Sequence, residues 1–176
     1  KILLLGDYSG VHSTLAEGLR GLGHRVTVAS NGDFWKDYPR DIDLARNGKW
    51  GFLWRVAKAL PRMKGFDVVQ VVNPMFMELK AERLFKIYNY LRKHNGKMVM
   101  TAVGDDYYYS FVNKTLKPMR YSDYNNGAEE RSTAYAEAVF NDWTGTEKER
   151  LSRHIAADCD AIIAGTYEYW LPYNLT

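Results

Sequence analysis

Short apolar runs that end at turn-forming residues constrain this 176-residue chain more than any other feature. The first run, Ile-Leu-Leu-Leu, shows no alternation with polar residues, which is typical of a strand buried on both faces of a sheet. Segments with apolar residues at helical spacing separate the runs, and their length suits the crossovers of a parallel sheet. Strands are predicted over residues 1–6, 25–30, 66–73, 97–103 and 160–164.

The segments between these strands carry signals for the starts and ends of helices. We expect the first helix to be capped by Ser9 and stopped by Gly23. Thr146 and Glu149 predict a capping box, and Thr166 is expected to cap the last helix. Helices are predicted over residues 50–60, 78–93, 134–140 and 146–157.

The alternation of strands and helices predicts the fold class. We expect an α/β domain with a Rossmann-like, doubly wound parallel sheet and helices on both faces. Residues 31–49 are expected to form a polar connection, and the tyrosine-rich residues 104–145 have too little periodicity to assign further. In such sheets ligands bind at the carboxyl ends of the strands, so the residues that follow each strand are the candidates for a site.

Composition and motifs exclude several classes of protein. A net charge of +3 is too small for a dedicated nucleic-acid binder. The single cysteine, Cys159, allows neither an intramolecular disulfide nor a cysteine-based metal site, and it suits the cytoplasm. The four histidines are scattered, so we expect no metal cofactor. The dinucleotide fingerprint, the P-loop and the nucleophile elbow of hydrolases are absent, and no stretch is apolar enough to span a membrane.

The loop after the first strand is the first candidate site. Gly6 and Gly10 allow close approach of a ligand to the backbone, and with Ser9 they precede a helix N-terminus that favours an anion such as a phosphate. The same glycines also fit a turn that needs only small residues. His12 follows, either as a neutral general base or as a surface histidine that solvates the turn.

Polar residues after the third and fourth strands form a second candidate group. Asn73, Asp105 and Asp106 could hydrogen-bond the hydroxyls of a sugar, and Tyr107 could stack on its face. The alternative is structural: an aspartate caps a turn, and the tyrosines cover the sheet edge.

The predicted helix over residues 50–60 combines aromatic and basic residues. Trp54, Arg55, Lys58 and Arg62 give it the pattern of a helix that lies on a membrane surface. A helix that covers the sheet and exposes a basic face to solvent has the same pattern. Peripheral contact with the inner face of a membrane is therefore a hypothesis beside plain cytoplasmic localisation.

Several segments, in this order and spacing, resemble the N-terminal domain of GT-B glycosyltransferases of the family 4 type. That family has a glycine loop after its first strand and a "G-H-x-V-T-V" second strand, followed by an apolar third strand and an "a-D-a-i-i-x-S/T" strand near the end of the domain. The matching segments here are residues 1–6, 10–12, 15–19, 22–28, 66–73 and 157–166.

The resemblance implies transfer of a sugar from a nucleotide-sugar donor to a glycan or lipid-linked acceptor, in surface polysaccharide or glycolipid assembly. It implies that Gly6 and Gly10 face the donor phosphates and that Asn73, Asp105 and Asp106 line the interdomain cleft. His12 falls where inverting GT-B relatives carry a catalytic histidine, although the family 4 type retains configuration without one. The chain departs from the pattern at Gly104, where many relatives have a histidine.

The resemblance also implies that residues 1–176 are one domain of a longer protein, with the nucleotide-sugar-binding domain beyond them. The chain starts inside a buried strand without Met and stops soon after a helix begins, which fits that expectation. Alone, the domain is expected to be inactive. Two alternatives stay open: a GT-B sugar-nucleotide epimerase and a non-catalytic flavodoxin-like binding module.

Overall fold

Eight strands are present in the computed structural model, which describes residues 1–46, 48–131 and 133–176. They are β1 (Ile2–Leu5), β2 (Val26–Ser30), β3 (Ile42–Asp43), β4 (Val68–Val71), β5 (Lys97–Ala102), β6 (Asn125–Asn126), β7 (Glu129–Glu130) and β8 (Ala161–Ala164). Six of them form a parallel sheet in the order β3-β2-β1-β4-β5-β8, and β6 pairs with β7 as a separate antiparallel hairpin. The chain changes direction across the sheet at β1 and β4, and ligands of open α/β sheets bind at such a switch point.

Helices cover both faces of this sheet, which confirms the predicted α/β, doubly wound, Rossmann-like fold class. The described helices are α1 (Val11–Gly21), α2 (Lys49–Ala59), α3 (Ala81–His94), α4 (Tyr107–Thr115), α5 (Ala134–Trp143), α6 (Glu147–Asp158) and α7 (Tyr167–Asn174). The larger apolar cluster packs α2, α3 and α6 on one face, and a smaller cluster packs α1 on the other.

Strand β1 shows why its sequence lacks polar alternation. Leu3 and Leu5 enter the larger cluster, Leu4 enters the smaller one, and all three are 0% exposed. Full burial of a leucine side chain contributes about 1.5–3 kcal/mol, so both faces of β1 stabilise the fold. The apolar run of β1 therefore predicts a central strand correctly.

The start of α1 differs from the predicted one. Ser9 lies in the left-handed region at φ 51° and does not cap the helix. The carboxylate of Asp7 accepts hydrogen bonds from the backbone N–H groups of His12, at 3.0 Å, and Ser13, at 3.1 Å. Gly23, at φ 85°, ends the helix as predicted, in a Schellman arrangement with backbone bonds from positions 23 and 24 to carbonyls 20 and 19.

The sequence does not predict four elements, β3, β6, β7 and α4, because none of them carries a clear periodic pattern. Strand β3 lies within the expected polar connection 31–49 and has only two residues. Helix α4 lies within 104–145, where tyrosines make its buried side hard to recognise. Helix α3 begins at Ala81 rather than at position 78.

The two predicted caps near the C-terminal end differ in outcome. The side chain of Thr146 accepts from Lys148 N–H at 3.2 Å, and Glu149 accepts from Gly145 N–H at 2.8 Å, so the capping box is present with its second bond one residue early. Thr166 occupies the N-cap position of α7, but its side chain makes no capping hydrogen bond.

Substitution of two glycines with different surroundings tests the packing of the fold. A Cβ at Gly96 would lie 2.4 Å from the carbonyl oxygen of Asp67, whereas one at Gly18 in α1 would meet nothing within 4 Å. We expect Gly96→Ala to lower the free energy of unfolding by about 1–3 kcal/mol and Gly18→Ala to raise it by about 0.5–1 kcal/mol. Urea unfolding measures both, and equal effects of the two changes would contradict the described approach of backbones at Gly96.

Candidate functional site

A pocket of about 250 Å³ lies at the carboxyl ends of β1, β2 and β4, beside the switch point. Its apolar wall comes mainly from the segments after β3 and β4, and its polar rim from the loops after β1 and β2. A pocket of mixed character at this place is the expected form of a small-molecule site. The wall consists of Phe34, Leu44, Met75, Phe76, Met77 and Leu79, and the rim of Gly6, Asp7, Tyr8, Ser30, Asn31, Asp33 and Glu78.

Hydrogen bonds across the rim fix its polar groups. The Asn31 side-chain amide donates to Oε1 of Glu78 at 2.6 Å, which joins the loop after β2 to the loop after β4. The hydroxyl of Tyr8 donates to the carbonyl of Met75 at 3.2 Å. Burial, with the charges of Asp33 and Asp105, raises the pKa of Tyr8 to about 12, so this hydroxyl remains a donor at neutral pH. The rim is thus preorganised by contacts between segments far apart in the sequence.

The loop after β2 is strained at the pocket edge. Asp33 and Phe34 have positive φ angles of 56° and 59°, in the left-handed region that non-glycine residues rarely adopt. Phe34 lines the pocket although 68% of it is exposed. Backbone strain of about 1–3 kcal/mol per residue persists where the surroundings impose it, and such residues cluster at ligand sites.

The glycine loop after β1 is tightly packed and holds carboxylates rather than an open anion cradle. A Cβ at Gly10 would lie 2.8 Å from the ring of Tyr38. Asp7 takes the first free N–H groups of α1, and Asp33 accepts from Ser9 N–H at 2.9 Å. Gly6 lines the pocket. The phosphate predicted at Gly6, Ser9 and Gly10 therefore has no support in this geometry, because these carboxylates already accept hydrogen bonds from the backbone N–H groups of residues 9, 12 and 13.

His12 lies inside the molecule, with 0% of its surface exposed. Its Nδ1 is 2.7 Å from the carbonyl oxygen of Gly6, and its Nε2 is 3.3 Å from Nε2 of Gln70, which also donates to Thr101 at 2.7 Å. Burial lowers the pKa of His12, so the ring is neutral. A general base must reach a proton of the substrate, and this ring is fully engaged in the interior. The catalytic role predicted for His12 gains no support, and its contacts are structural.

Asn73 and Asp105 join the ends of two strands. The side-chain amide of Asn73, which is 1% exposed, donates to the carbonyls of Val103 and Asp105 at 2.8 and 3.1 Å. Its oxygen accepts from Met75 N–H at 2.8 Å. The carboxylate of Asp105 accepts from the hydroxyl of Tyr135 at 2.8 Å. Asn73 thus supports the loop that forms the pocket wall, and neither side chain lines the pocket.

Asp106 and Tyr107 are buried at the start of α4. The carboxylate of Asp106 caps this helix through Tyr109 N–H at 2.7 Å and accepts from the Tyr173 hydroxyl at 2.8 Å. Burial raises the pKa of Asp106 to about 6. Tyr107 is 2% exposed and bonds the side chain of Arg153 in α6. Their structural alternatives, a helix cap and a packed aromatic, account for the contacts seen, and their sugar-binding roles stay predictions.

Helix α2 exposes the aromatic and basic residues of the predicted surface. Trp50 and Trp54 are 79% and 64% exposed, and Nζ of Lys58 lies 4.8 Å from the centroid of the Trp54 ring. Arg55 differs from the others, because it forms an ion pair with Asp43 at the sheet edge. Arg62 lies just beyond the helix and has no ion-pair partner among the described residues.

No family model, curated protein or solved structure matches this chain. Within residues 1–46, 48–131 and 133–176, no helix has both the length and the apolar character needed to cross a membrane. The fold and the pocket therefore carry the functional conclusions without support from relatives.

The pocket residues after β2 and β4 were not predicted as site residues. Their common signal is position, since both loops follow apolar strands that end at the same edge of the sheet. Asn31-Gly32-Asp33 directly follows β2 and could have been recognised by that rule. Glu78 lies seven positions beyond Val71, too far from its strand for the rule to find it.

The buried His12 predicts a pH dependence of stability. Its pKa is lowered in the fold, so below the ordinary value of about 6.5 the unfolded chain binds a proton more readily, and stability falls as the pH decreases. We expect His12→Asn, whose amide can still donate to Gly6, to show a smaller loss of unfolding free energy between pH 7.5 and pH 5. Urea unfolding at both pH values measures this. Equal losses in both proteins would mean that His12 is protonated in the fold.

Proposed function

We propose that this chain is the N-terminal, acceptor-side domain of a GT-B glycosyltransferase, which transfers a sugar from a nucleotide-sugar donor to a glycan or lipid-linked acceptor. The supporting observation is the preorganised pocket at the carboxyl ends of β1, β2 and β4. A second domain would hold most of the donor. The sugar of the donor would meet the acceptor across the interdomain cleft, which this edge of the sheet borders. Such a protein would serve surface polysaccharide or glycolipid assembly.

The pocket chemistry suits an acceptor hydroxyl. A sugar presents apolar C–H faces and hydroxyl edges, which match an aromatic wall and a rim of carboxylate and amide oxygens. Oε1 of Glu78 is held by Asn31, which leaves Oε2 as an acceptor for a hydroxyl proton. In the transfer, the hydroxyl oxygen bonds to the anomeric carbon, the nucleoside diphosphate leaves with the electron pair, and the hydroxyl proton is released. Glu78 is the described carboxylate best placed to orient that hydroxyl.

Replacement of Phe34 by glycine separates stability from function. Glycine adopts positive φ without strain, so Phe34→Gly should leave the free energy of unfolding unchanged or raise it by about 1 kcal/mol. Loss of an aromatic contact of about 1 kcal/mol should raise the acceptor KM about fivefold. The assay measures nucleoside diphosphate release by the full-length protein with a panel of nucleotide sugars and acceptors.

The neighbouring Trp35→Ala variant is the matched control, since Trp35 is 87% exposed and does not line the pocket. It should leave the acceptor KM unchanged. Equal acceptor KM values for the Phe34→Gly variant and the unmodified protein would show that the pocket is not part of the acceptor site. Absence of transfer by the full-length protein with every donor would favour the epimerase, or a binding module without chemistry.

The exposed surface of α2 supports a second part of the proposal, peripheral contact with an anionic membrane at its cytoplasmic face. Trp50 and Trp54 are aromatic residues of the kind found at membrane interfaces, and Lys58 and Arg62 supply positive charge beside them. Arg55 contributes less, because its charge is neutralised by Asp43. A membrane-bound domain would bring the pocket close to a lipid-linked acceptor.

Vesicle binding tests this surface. The double change Trp54→Ala with Lys58→Glu should reduce binding to phosphatidylcholine–phosphatidylglycerol vesicles by about tenfold or more, since each basic side chain contributes about 1 kcal/mol near an anionic surface. Co-sedimentation at low salt measures the bound fraction. Lys86→Glu, at an exposed position of α3, makes the same charge change elsewhere and should bind nearly as well as the unmodified protein. No vesicle binding by the unmodified protein would contradict the proposal.

A further inference from the structure

A cleft of about 320 Å³ adjoins the pocket, and its rim is basic. Glu78 and Leu79 line both spaces, so the pocket and the cleft are neighbours along one surface. The other charged residues of the cleft are all positive: Arg46, Lys49, Lys80 and Arg83. A ligand that fills the pocket can therefore extend directly onto a positively charged surface.

These four side chains differ from the other cations near the pocket. Lys36 and Arg40 are neutralised by aspartates of their own loop. Arg46, Lys49, Lys80 and Arg83, by contrast, form no ion pair within the part of the chain that the structure describes. The single acid of the cleft, Glu78, is engaged with Asn31 at one of its oxygens. With four cations and one carboxylate, the cleft keeps a net positive charge that the described residues do not neutralise.

Two of the four cations lie at helix N-termini, which is unfavourable in addition to the repulsion among the four charges. Lys49 is the first residue of α2, and Lys80 occupies the N-cap of α3. Cations at the positive end of a helix are unfavourable. Gly48, the N-cap residue of α2, has no side chain to cap the helix, and the side chain of Lys80 makes no capping hydrogen bond. An anion in the cleft would remove both penalties. The cavity and its unpaired charges indicate a ligand, and the helix ends strengthen the same field.

We propose that this cleft binds a phosphate or diphosphate group whose organic part occupies the adjoining pocket. Asp7 and Asp33 already accept hydrogen bonds from backbone N–H groups of the loop after β1 and of the first turn of α1, whereas the far side of the pocket carries unpaired cations that attract an anion. The anion site itself does not depend on the proposed function. Only the identity of the organic group attached to the phosphate rests on it. A nucleoside diphosphate and a lipid-linked diphosphate share this chemistry, and the experiment distinguishes them.

The first measurement is a calorimetric titration of the protein with inorganic pyrophosphate at low salt. The double variant Arg46→Ala with Arg83→Ala should bind pyrophosphate about tenfold more weakly or not at all. The control Arg25→Ala with Lys64→Ala removes the same charge from a basic cleft at the opposite, amino-terminal edge of the sheet, and it should bind as the unmodified protein does. Absence of pyrophosphate binding, or equal losses in the two double variants, would overturn the site.

Thermal unfolding supplies a second readout that does not depend on transfer activity. Pyrophosphate should raise the Tm of the unmodified protein and of the control, but not of the Arg46 and Arg83 double variant. Without pyrophosphate, Lys80→Ala should not lower the Tm, because it removes a cation from a helix N-terminus. A lower Tm for this variant would mean that Lys80 has a structural partner, and it would contradict the unneutralised charge on which the proposal depends.

The source of the phosphate is tested with larger ligands. A nucleoside diphosphate sugar and a short-chain prenyl diphosphate that carries a sugar are titrated separately, each against the unmodified protein and the Phe34→Gly variant. The ligand whose organic part fills the pocket should bind more tightly than pyrophosphate and lose that gain in the variant. If neither gains over pyrophosphate, the link between cleft and pocket is wrong. Pyrophosphate binding without glycosyl transfer would instead sustain the anion site and reject the proposed function.

Discussion

The capping of α1 by Asp7 is the interaction on which the binding edge of this domain depends. Two charge-assisted hydrogen bonds join the end of β1 to the first turn of the helix, and they hold the intervening glycine loop closed. The same contact fixes the first turn of α1, in which the buried ring of His12 forms a hydrogen bond with the carbonyl of Gly6. Placement of a carboxylate at this helix end neutralises its positive field, which open α/β proteins often use to bind phosphate. The loop therefore forms part of the polar rim of the pocket.

The charges around the pocket follow from that arrangement. On the side next to β1, Asp7 offsets the positive end of α1, and the charges of Asp33 and Lys36 neutralise each other. The far side, beyond Glu78, carries cations that the described residues do not neutralise. A ligand suited to both sides has an uncharged, hydroxyl-bearing part and an anionic part. Sugars attached to diphosphates have this construction, which agrees with the substrate class that we propose.

The sequence predicts the sheet well but few of the residues that line the pocket, for one physical reason. Burial of β1 on both faces leaves a local pattern of consecutive leucines, so the strand can be recognised without its neighbours. The pocket depends instead on loops that meet only in the folded chain, as the bond between Asn31 and Glu78 shows. His12 and Asp106 follow strands, so the positional rule predicts them as site residues. In the fold, both form structural hydrogen bonds with groups that no spacing rule identifies. Residue type and position predict candidate site residues, and the burial of each side chain in the fold decides its role.

Departures from local conformational preference concentrate at one edge of this domain. Phe34 adopts a backbone conformation that suits glycine, and Lys49 and Lys80 lie at helix ends that suit acids. Other elements follow the usual rules, since Gly23 ends α1 and Thr146 caps α6, although Lys117 also has a positive φ angle and Pro172 lies inside α7. Breaking these rules at the pocket and the cleft gains nothing in stability. Because both penalties fall where a ligand would relieve or use them, binding is the physical reason that best accounts for their location.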